Sequence, residues 1–344
     1  MRHRVAWSVV LASALLAAPA SPRAEGPLTT TVRRFLMGTS ITVEATGGVA
    51  SSRAVAVDEA FAAMVEVDRL MSNYKPDSEL MRLNADAARR PVRVSDPMWS
   101  VLAAGQRVSR ASGGAFDVTV GPLVRLWGFH DKRPHVPSAA ELRRIRPIIG
   151  YQNVVLDEAA HTVRFIRPGV ELDLGGIAKG FAVELAGRAL ERRGYAGLVD
   201  AGGNQFLVGH PLNKARWQVG IADPEHPTKI LGTLEVDGGA VSTSGGYHNY
   251  FVSGGKTYGH LIDPRTMAPG DAALSVTIVS PDATLADALS KPAYLLGPVT
   301  GLALVESFPG AMAIIAYRGT NGGVELMMSE GLKGRFRKTA TSRP

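Results

Sequence analysis

Apolar positions recur at helical spacing in some stretches and alternate in others, and this pattern divides the chain into elements. Residues 170–174 form an apolar-rich run ending in Gly175-Gly176. Ile177, Phe181, Leu185 and Ala189 follow at helical spacing, which predicts strand, tight turn and helix with Lys179 in the first helical turn. β-Branched alternation after Gly38 predicts a strand reaching about residue 45. Val57, Phe61, Met64 and Met71 share one face of a helix over 51–71, capped by Ser51 or Ser52. A short helical turn over 80–84 and a helix over 97–111, stopped by Gly113-Gly114, come next. Ser138 to Glu141 has the spacing of a capping box. Residues 154–156 and 163–166 read as a hairpin. Residues 197–209 read as a strand interrupted at 200–204, and short strands are predicted over 217–221, 232–236, 240–244, 250–252, 257–262, 275–279 and 311–317. Asp282 opens a helix to about residue 296. Helices and strands mix without regular βαβ alternation, so the expected fold class is α+β, with mixed, largely antiparallel sheets and packed helices.

The first twenty residues change the expected compartment. Met1 to Arg4 is basic, residues 5–20 are almost entirely apolar or small, and Ala18-Pro19-Ala20 resembles a processing site, so residues 1–24 read as a Sec-type signal peptide. Processing is expected after Ala20 or Ala24, and no twin arginine precedes the apolar run. The sequence contains no cysteine, which excludes disulfides and a lipid-modified N-terminal cysteine. A periplasmic protein is the expectation, with a domain over 25–332 and a basic polar tail over 333–344. The formal net charge is +7; removing residues 1–20 takes away Arg2 and Arg4 and leaves 36 basic against 31 acidic residues, or +5. These charges are scattered and not interleaved with aromatic residues, which argues against a nucleic-acid partner.

Backbone N–H groups at a helix start are unpaired and the helix dipole is positive there, so Lys179 adds charge to an anion site at Gly175-Gly176. The spacing is neither G-x-G-x-x-G nor G-x-x-x-x-G-K-[ST], so the Rossmann and P-loop readings fail. The same turn also serves as a plain connection between elements. Paired carboxylates of glycosidase type, a Ser-His-Asp context and H-E-x-x-H are not found in the sequence.

Seven segments, in order, resemble the ApbE family of flavin transferases: Met37-Gly38-Thr39; Tyr74-Lys75-Pro76-Asp77-Ser78-Glu79; Gly114-Ala115-Phe116-Asp117-Val118-Thr119-Val120-Gly121-Pro122-Leu123; Leu172-Asp173-Leu174-Gly175-Gly176-Ile177-Ala178-Lys179-Gly180; Thr243-Ser244-Gly245; His260-Leu261-Ile262-Asp263-Pro264-Arg265-Thr266; and Ala286-Asp287-Ala288-Leu289. The resemblance implies an enzyme that splits FAD and attaches FMN through a phosphoester to a threonine or serine of a membrane-associated redox protein, releasing AMP. Its partners would be FAD and an extracytoplasmic flavin-acceptor domain of a respiratory membrane protein, which would supply the only membrane contact. It places Met37, Tyr74, Ala115, Phe116, Asp117, Asp173, Lys179 and Leu261 at the FAD site. It gives the Gly176 carbonyl and the Asp287 carboxylate to Mg²⁺, and sets His260 near the reacting phosphates. Phosphoryl transfer depends on positioning and on neutralising the phosphoryl oxygens, which suits Lys179, a helix start and a metal. His260 or Asp287 could act as general base, and Tyr74 and Phe116 could stack on a flat ring.

One position departs from the family pattern. Four residues beyond Asp287, where a threonine or serine hydroxyl would join the metal shell, stands Lys291, followed by Pro292. A protonated lysine has no lone pair to donate and repels a second cation. Three readings stand side by side: a catalytic Lys291 as a cation built into the chain, an ordinary i,i+4 helical ion pair, or a site that binds and turns over slowly. The functional alternatives are an FAD pyrophosphatase giving FMN and AMP, and a noncatalytic flavin-binding protein.

Overall fold

The computed structural model describes residues 28–246 and 249–339; the signal peptide expected over 1–24 lies outside them. The chain begins with a hairpin, β1 (Thr29–Leu36) and β2 (Thr39–Thr46), whose two-residue turn is Met37-Gly38. Both turn residues have positive φ (52° and 75°), the left-handed conformation whose twist matches paired strands. Helices α1 (Ala50–Met71), α2 (Glu79–Asp86) and α3 (Asp96–Ala111) follow, with β3 (Val92–Arg93) between the last two. Helix α1 has Val49 as N-cap without a capping side chain, so Ser51 and Ser52 lie inside the helix and do not start it. Ser78 and Ser95 do cap α2 and α3.

Helices α4 (Gly121–Leu126) and α5 (Ala139–Ile145) are short, and Ser138 and Glu141 form the expected capping box. Next come the hairpin β4 (Val154–Asp157) and β5 (Thr162–Phe165), helix α6 (Ala178–Arg192), and the hairpin β6 (Ala196–Ala201) and β7 (Asn204–Val208). The remaining elements are β8 (Trp217–Ala222), β9 (Ile230–Val236), β10 (Gly239–Gly245), β11 (Tyr250–Ser253), β12 (Lys256–Gly259), β13 (Ile262–Asp263), β14 (Ala268–Pro269), β15 (Ser275–Ser280), α7 (Ala283–Glu306), β16 (Met312–Arg318), β17 (Val324–Met328), α8 (Glu330–Lys333) and β18 (Phe336–Lys338).

Eight strands form one sheet in the order β1-β2-β6-β7-β10-β15-β16-β17, and every ladder among the described residues is antiparallel. Alternation places Ile41, Val43 and Ala45 of β2 on one face, where they meet α1, α6 and α7 in the main core. The opposite face carries Leu207, Val241, Val279 and Ile314, which the three-stranded sheet β18-β9-β8 covers through Val219, Ile221, Leu234 and Val236. A third apolar cluster around Leu123, Trp127, Ile262 and Met267 lies apart from both.

Four further expectations need correction. Residues 170–174 join no ladder and run as an extended segment. The strand expected over 257–262 is two, divided at His260 and Leu261. Helix α7 continues past residue 296 to Glu306, with a bend at Gly297 (φ 78°, ψ −176°) just before Pro298. Finally, Phe336–Lys338 pairs with β9, so the basic tail drawn from residue 333 begins within the folded structure.

Candidate active site

The turn before α6 is built by long-range hydrogen bonds. Asn84, at the end of α2, accepts from the Leu172 N–H (2.8 Å) and donates to the Leu172 carbonyl (3.0 Å), and the Asp173 N–H donates to the Val118 carbonyl (2.8 Å). These bonds replace the ladder that a strand would have used, which is why an apolar run here stays outside the sheet. The Asp173 side chain does not cap the helix; its Oδ1 accepts from the Gly175 N–H (2.8 Å) and its Oδ2 from Asn73 (2.9 Å). Gly175 and Gly176 are thereby held open beside α6. Lys179 folds back from the first turn, and its Nζ donates to the Gly175 carbonyl (3.1 Å).

Helix α6 starts at Ile177 with no capping side chain of its own. The cap comes from α7: Asp287 Oδ2 accepts from the Gly180 N–H at 2.8 Å. Glu184 on α6 returns the arrangement, accepting at the start of α7 from the Ala283 N–H (3.0 Å) and the Thr284 N–H (3.3 Å). Two helix starts meet here, and each borrows an acid from the other to satisfy its N–H groups and its dipole. Gly180 permits the approach, since a Cβ there would lie 2.2 Å from the Ala283 carbonyl oxygen and 2.5 Å from Asp287 Cβ.

Asp287 is fully buried, and its other oxygen, Oδ1, accepts from the Lys291 ammonium. Lys291 also donates to the Asp287 main-chain carbonyl (2.8 Å), and its Cε lies 3.9 Å from the position a Cβ would take on Gly176. Lysine at 291 therefore spans from Asp287 toward the Gly175-Gly176 turn. Burial pushes its pKa down, the Asp287 charge opposes that, and Lys179 adds to the lowering. Beneath the pair, Ser290 donates to the Asp287 carbonyl (2.8 Å) and meets Ser244 of β10 (2.8 Å).

The remaining expected site residues are placed as follows. Phe116 is buried in the main core, with its ring against Gly176 (Cε2 3.2 Å from the Cβ position), so it supports the turn from below; Ala115 is buried beside it. Met37 is half-buried on its hairpin turn. Thr39 touches the Gly202-Gly203 turn, whose Gly203 carbonyl accepts from the Thr243 N–H (2.9 Å), so these motifs gather at one end of the sheet. Tyr74, next to Asn73, is exposed and stacks on His130 (4.6 Å, 9° between planes). His260 Nδ1 and its backbone N–H both meet the Asn249 carbonyl (3.1 and 3.0 Å). A neutral ring so bonded keeps its proton on Nδ1 and has Nε2 as its basic nitrogen. Leu261 is buried in the main core. The sequence reading did not single out Asn73, Asn84, His130, Glu184 or Ser290, because each acts across a long sequence separation.

Asp117 holds the loop that follows α3. Its Oδ1 accepts from the Thr119 N–H and hydroxyl (both 2.7 Å) and its Oδ2 from the Tyr151 N–H (2.5 Å). Burial, the leading influence, raises its pKa, and those bonds pull the other way. The folded chain thus retains this proton to higher pH than the unfolded chain, whose value is near 3.8. This group's contribution to stability is greatest at low pH and falls as pH rises through the raised value. The stability difference between the natural chain and Asp117→Asn should therefore shrink as pH rises above the unfolded chain's value near 3.8. Denaturant midpoints measured over that range check it, and a constant difference would refute it.

The sequence matches the model of the ApbE family over residues 37–316. The chain belongs to the ApbE family. The FAD:protein FMN transferase of Vibrio cholerae is 33% identical over 313 residues, covering 88% of this chain and 90% of that protein. That of Treponema pallidum is 34% identical over 285 residues, covering 76% and 77%. The crystal structure of the ApbE protein of Thermotoga maritima superposes with a TM-score of 0.81 at 32% identity, covering 90% of this chain and 100% of that one. Flavin transferase ApbE from Vibrio cholerae gives 0.80 at 29% identity, covering 89% and 99%.

The Mg²⁺ that the ApbE resemblance implies does not fit the donors present. Of its three expected ligands, position 291 offers an ammonium, and that ammonium occupies Asp287 Oδ1, while Oδ2 is held by the Gly180 N–H. A divalent ion placed against Asp287 would sit beside a fixed positive charge.

Proposed function

We propose that this ApbE-family chain is an FAD:protein FMN transferase, acting on an extracytoplasmic domain of a membrane-associated redox protein after export through residues 1–24. The observation that supports it is the convergence of Lys179 and Lys291 on the open Gly175-Gly176 turn at the start of α6. Two ammonium groups directed toward one turn suit the diphosphate bridge of FAD.

In the reaction, the hydroxyl oxygen of an acceptor threonine or serine bonds to the phosphorus on the FMN side. The bond from that phosphorus to the bridging oxygen breaks, and the bridging oxygen leaves with AMP. The hydroxyl proton passes to His260, which the family resemblance sets near the reacting phosphates, and then to solvent. Lys179 offsets charge on the phosphoryl oxygens, and the buried Asp287 holds the two helix starts that position it.

Incubation with FAD tests the reading: flavin fluorescence retained on a denatured acceptor band, with AMP released, supports transfer. AMP and free FMN in the absence of acceptor would instead indicate hydrolysis, and intact FAD a binder. Lys179→Met should raise the FAD dissociation constant about ten- to hundredfold, the worth of one hydrogen bond to a charged group. Isothermal titration with FAD measures it, and an unchanged constant removes Lys179 from the site.

A further inference from the structure

We propose that the Lys291 ammonium serves as the built-in cation of this site, taking the place of the divalent ion, so that FAD binding and cleavage proceed without Mg²⁺. The inference rests on the FAD reading above and adds to it the identity of the charge that offsets the diphosphate. Lys291 is one helical turn beyond Asp287, and its Nζ sits on both the carboxylate and the main-chain carbonyl of that residue. Its Cε lies 3.9 Å from the Gly176 Cβ position, so the side chain reaches from Asp287 toward the turn, the two places that would hold the metal in the family's manner. An ordinary surface i,i+4 pair would have both partners in water. Here the carboxylate is fully buried and the lysine side chain is 17% exposed.

The ammonium has three hydrogens. Two are directed to the oxygens of Asp287, and the third is available to a phosphoryl oxygen. The bonds made and broken in the transfer are those given above, and Lys291 keeps its proton throughout.

The experiment uses the full-length protein with FAD, in excess EDTA or in MgCl₂. Calorimetry reads FAD affinity, chromatography reads AMP release, and Mg²⁺ is titrated alone into the protein. The expected result is equal FAD affinity and equal AMP release in both buffers, with no saturable Mg²⁺ binding. Lys291→Thr should lose about ten- to hundredfold in FAD affinity in EDTA and recover on adding Mg²⁺. Lys291→Met, which keeps the side-chain volume, should show the same loss without recovery, and thermal denaturation of each variant confirms that it is folded. A natural chain that binds or cleaves FAD only with Mg²⁺ overturns the built-in cation and leaves the flavin assignment standing. A natural chain that fails to bind FAD in either buffer overturns the assignment and this inference together.

Discussion

Asp287→Ala is expected to lower stability by about 3–5 kcal/mol and to abolish AMP release from FAD. The carboxylate is fully buried and serves two donors, the Gly180 N–H on α6 and the Lys291 ammonium on α7. Its removal strands an ammonium inside the protein and leaves a helix start without its cap, and both deficits fall on the α6–α7 contact beside Gly176. Thermal denaturation should show a loss of several degrees or more. The double variant Asp287→Ala/Lys291→Met supplies the control. With no charge left to strand, it should recover much of the stability while remaining inactive. If the single and double variants are equally destabilised, the loss comes from packing and not from a stranded charge.

Gly180→Ala should have the second largest effect, although it adds one methyl group. That carbon would lie 2.2 Å from the Ala283 carbonyl oxygen and 2.5 Å from Asp287 Cβ, so the two helix starts must move apart. Overpacking of this kind costs about 1–3 kcal/mol, and the roughly 1 kcal/mol gained from alanine's helix propensity does not cancel it once the Gly180–Asp287 hydrogen bond is stretched. Function should suffer more than stability, because the separation draws Asp287 and Lys291 away from Gly176. FAD affinity is expected to fall about tenfold or more while the chain remains folded. Calorimetry beside a melting curve decides it, and unchanged FAD binding would show that the helix crossing plays no part in holding FAD.

The parts of this site that were legible in the sequence are those whose signal is local. Gly175-Gly176 followed by apolar residues at helical spacing placed α6 and put Lys179 in its first turn. Ser138 and Glu141 declared their capping box, and Asp282 its helix. The run at 170–174 was misread as a strand because an apolar stretch does not reveal who takes its hydrogen bonds. Asn84, 88 residues from Leu172 in sequence, takes them instead. Ser51 and Ser52 looked like caps, yet α1 starts before them on Val49. β17 and β18 follow Gly322-Gly323 and Gly334-Arg335 and are too short to alternate visibly; pairing with β16 and β9 creates them. Reciprocal capping by Asp287 and Glu184 needs two helices brought together, so no window of sequence contains it.

The bend at Gly297 bears on how the chain would be sorted between water and lipid. The stretch Ala283–Glu306 has the length and mean hydropathy of a bilayer-crossing rod, and by composition it would be drawn as an anchor that carries Asp287 and Lys291 within it. A glycine with φ 78° and a following proline divide it, and neither portion reaches the about 20 residues that a hydrocarbon layer requires. Much of its oily surface is already spent against β10, β15 and β16, with 61% of the most apolar window buried. The most lipid-like helix among the described residues is thus the one that holds Asp287 and Lys291 against α6, and tethering it in a bilayer would take that contact apart.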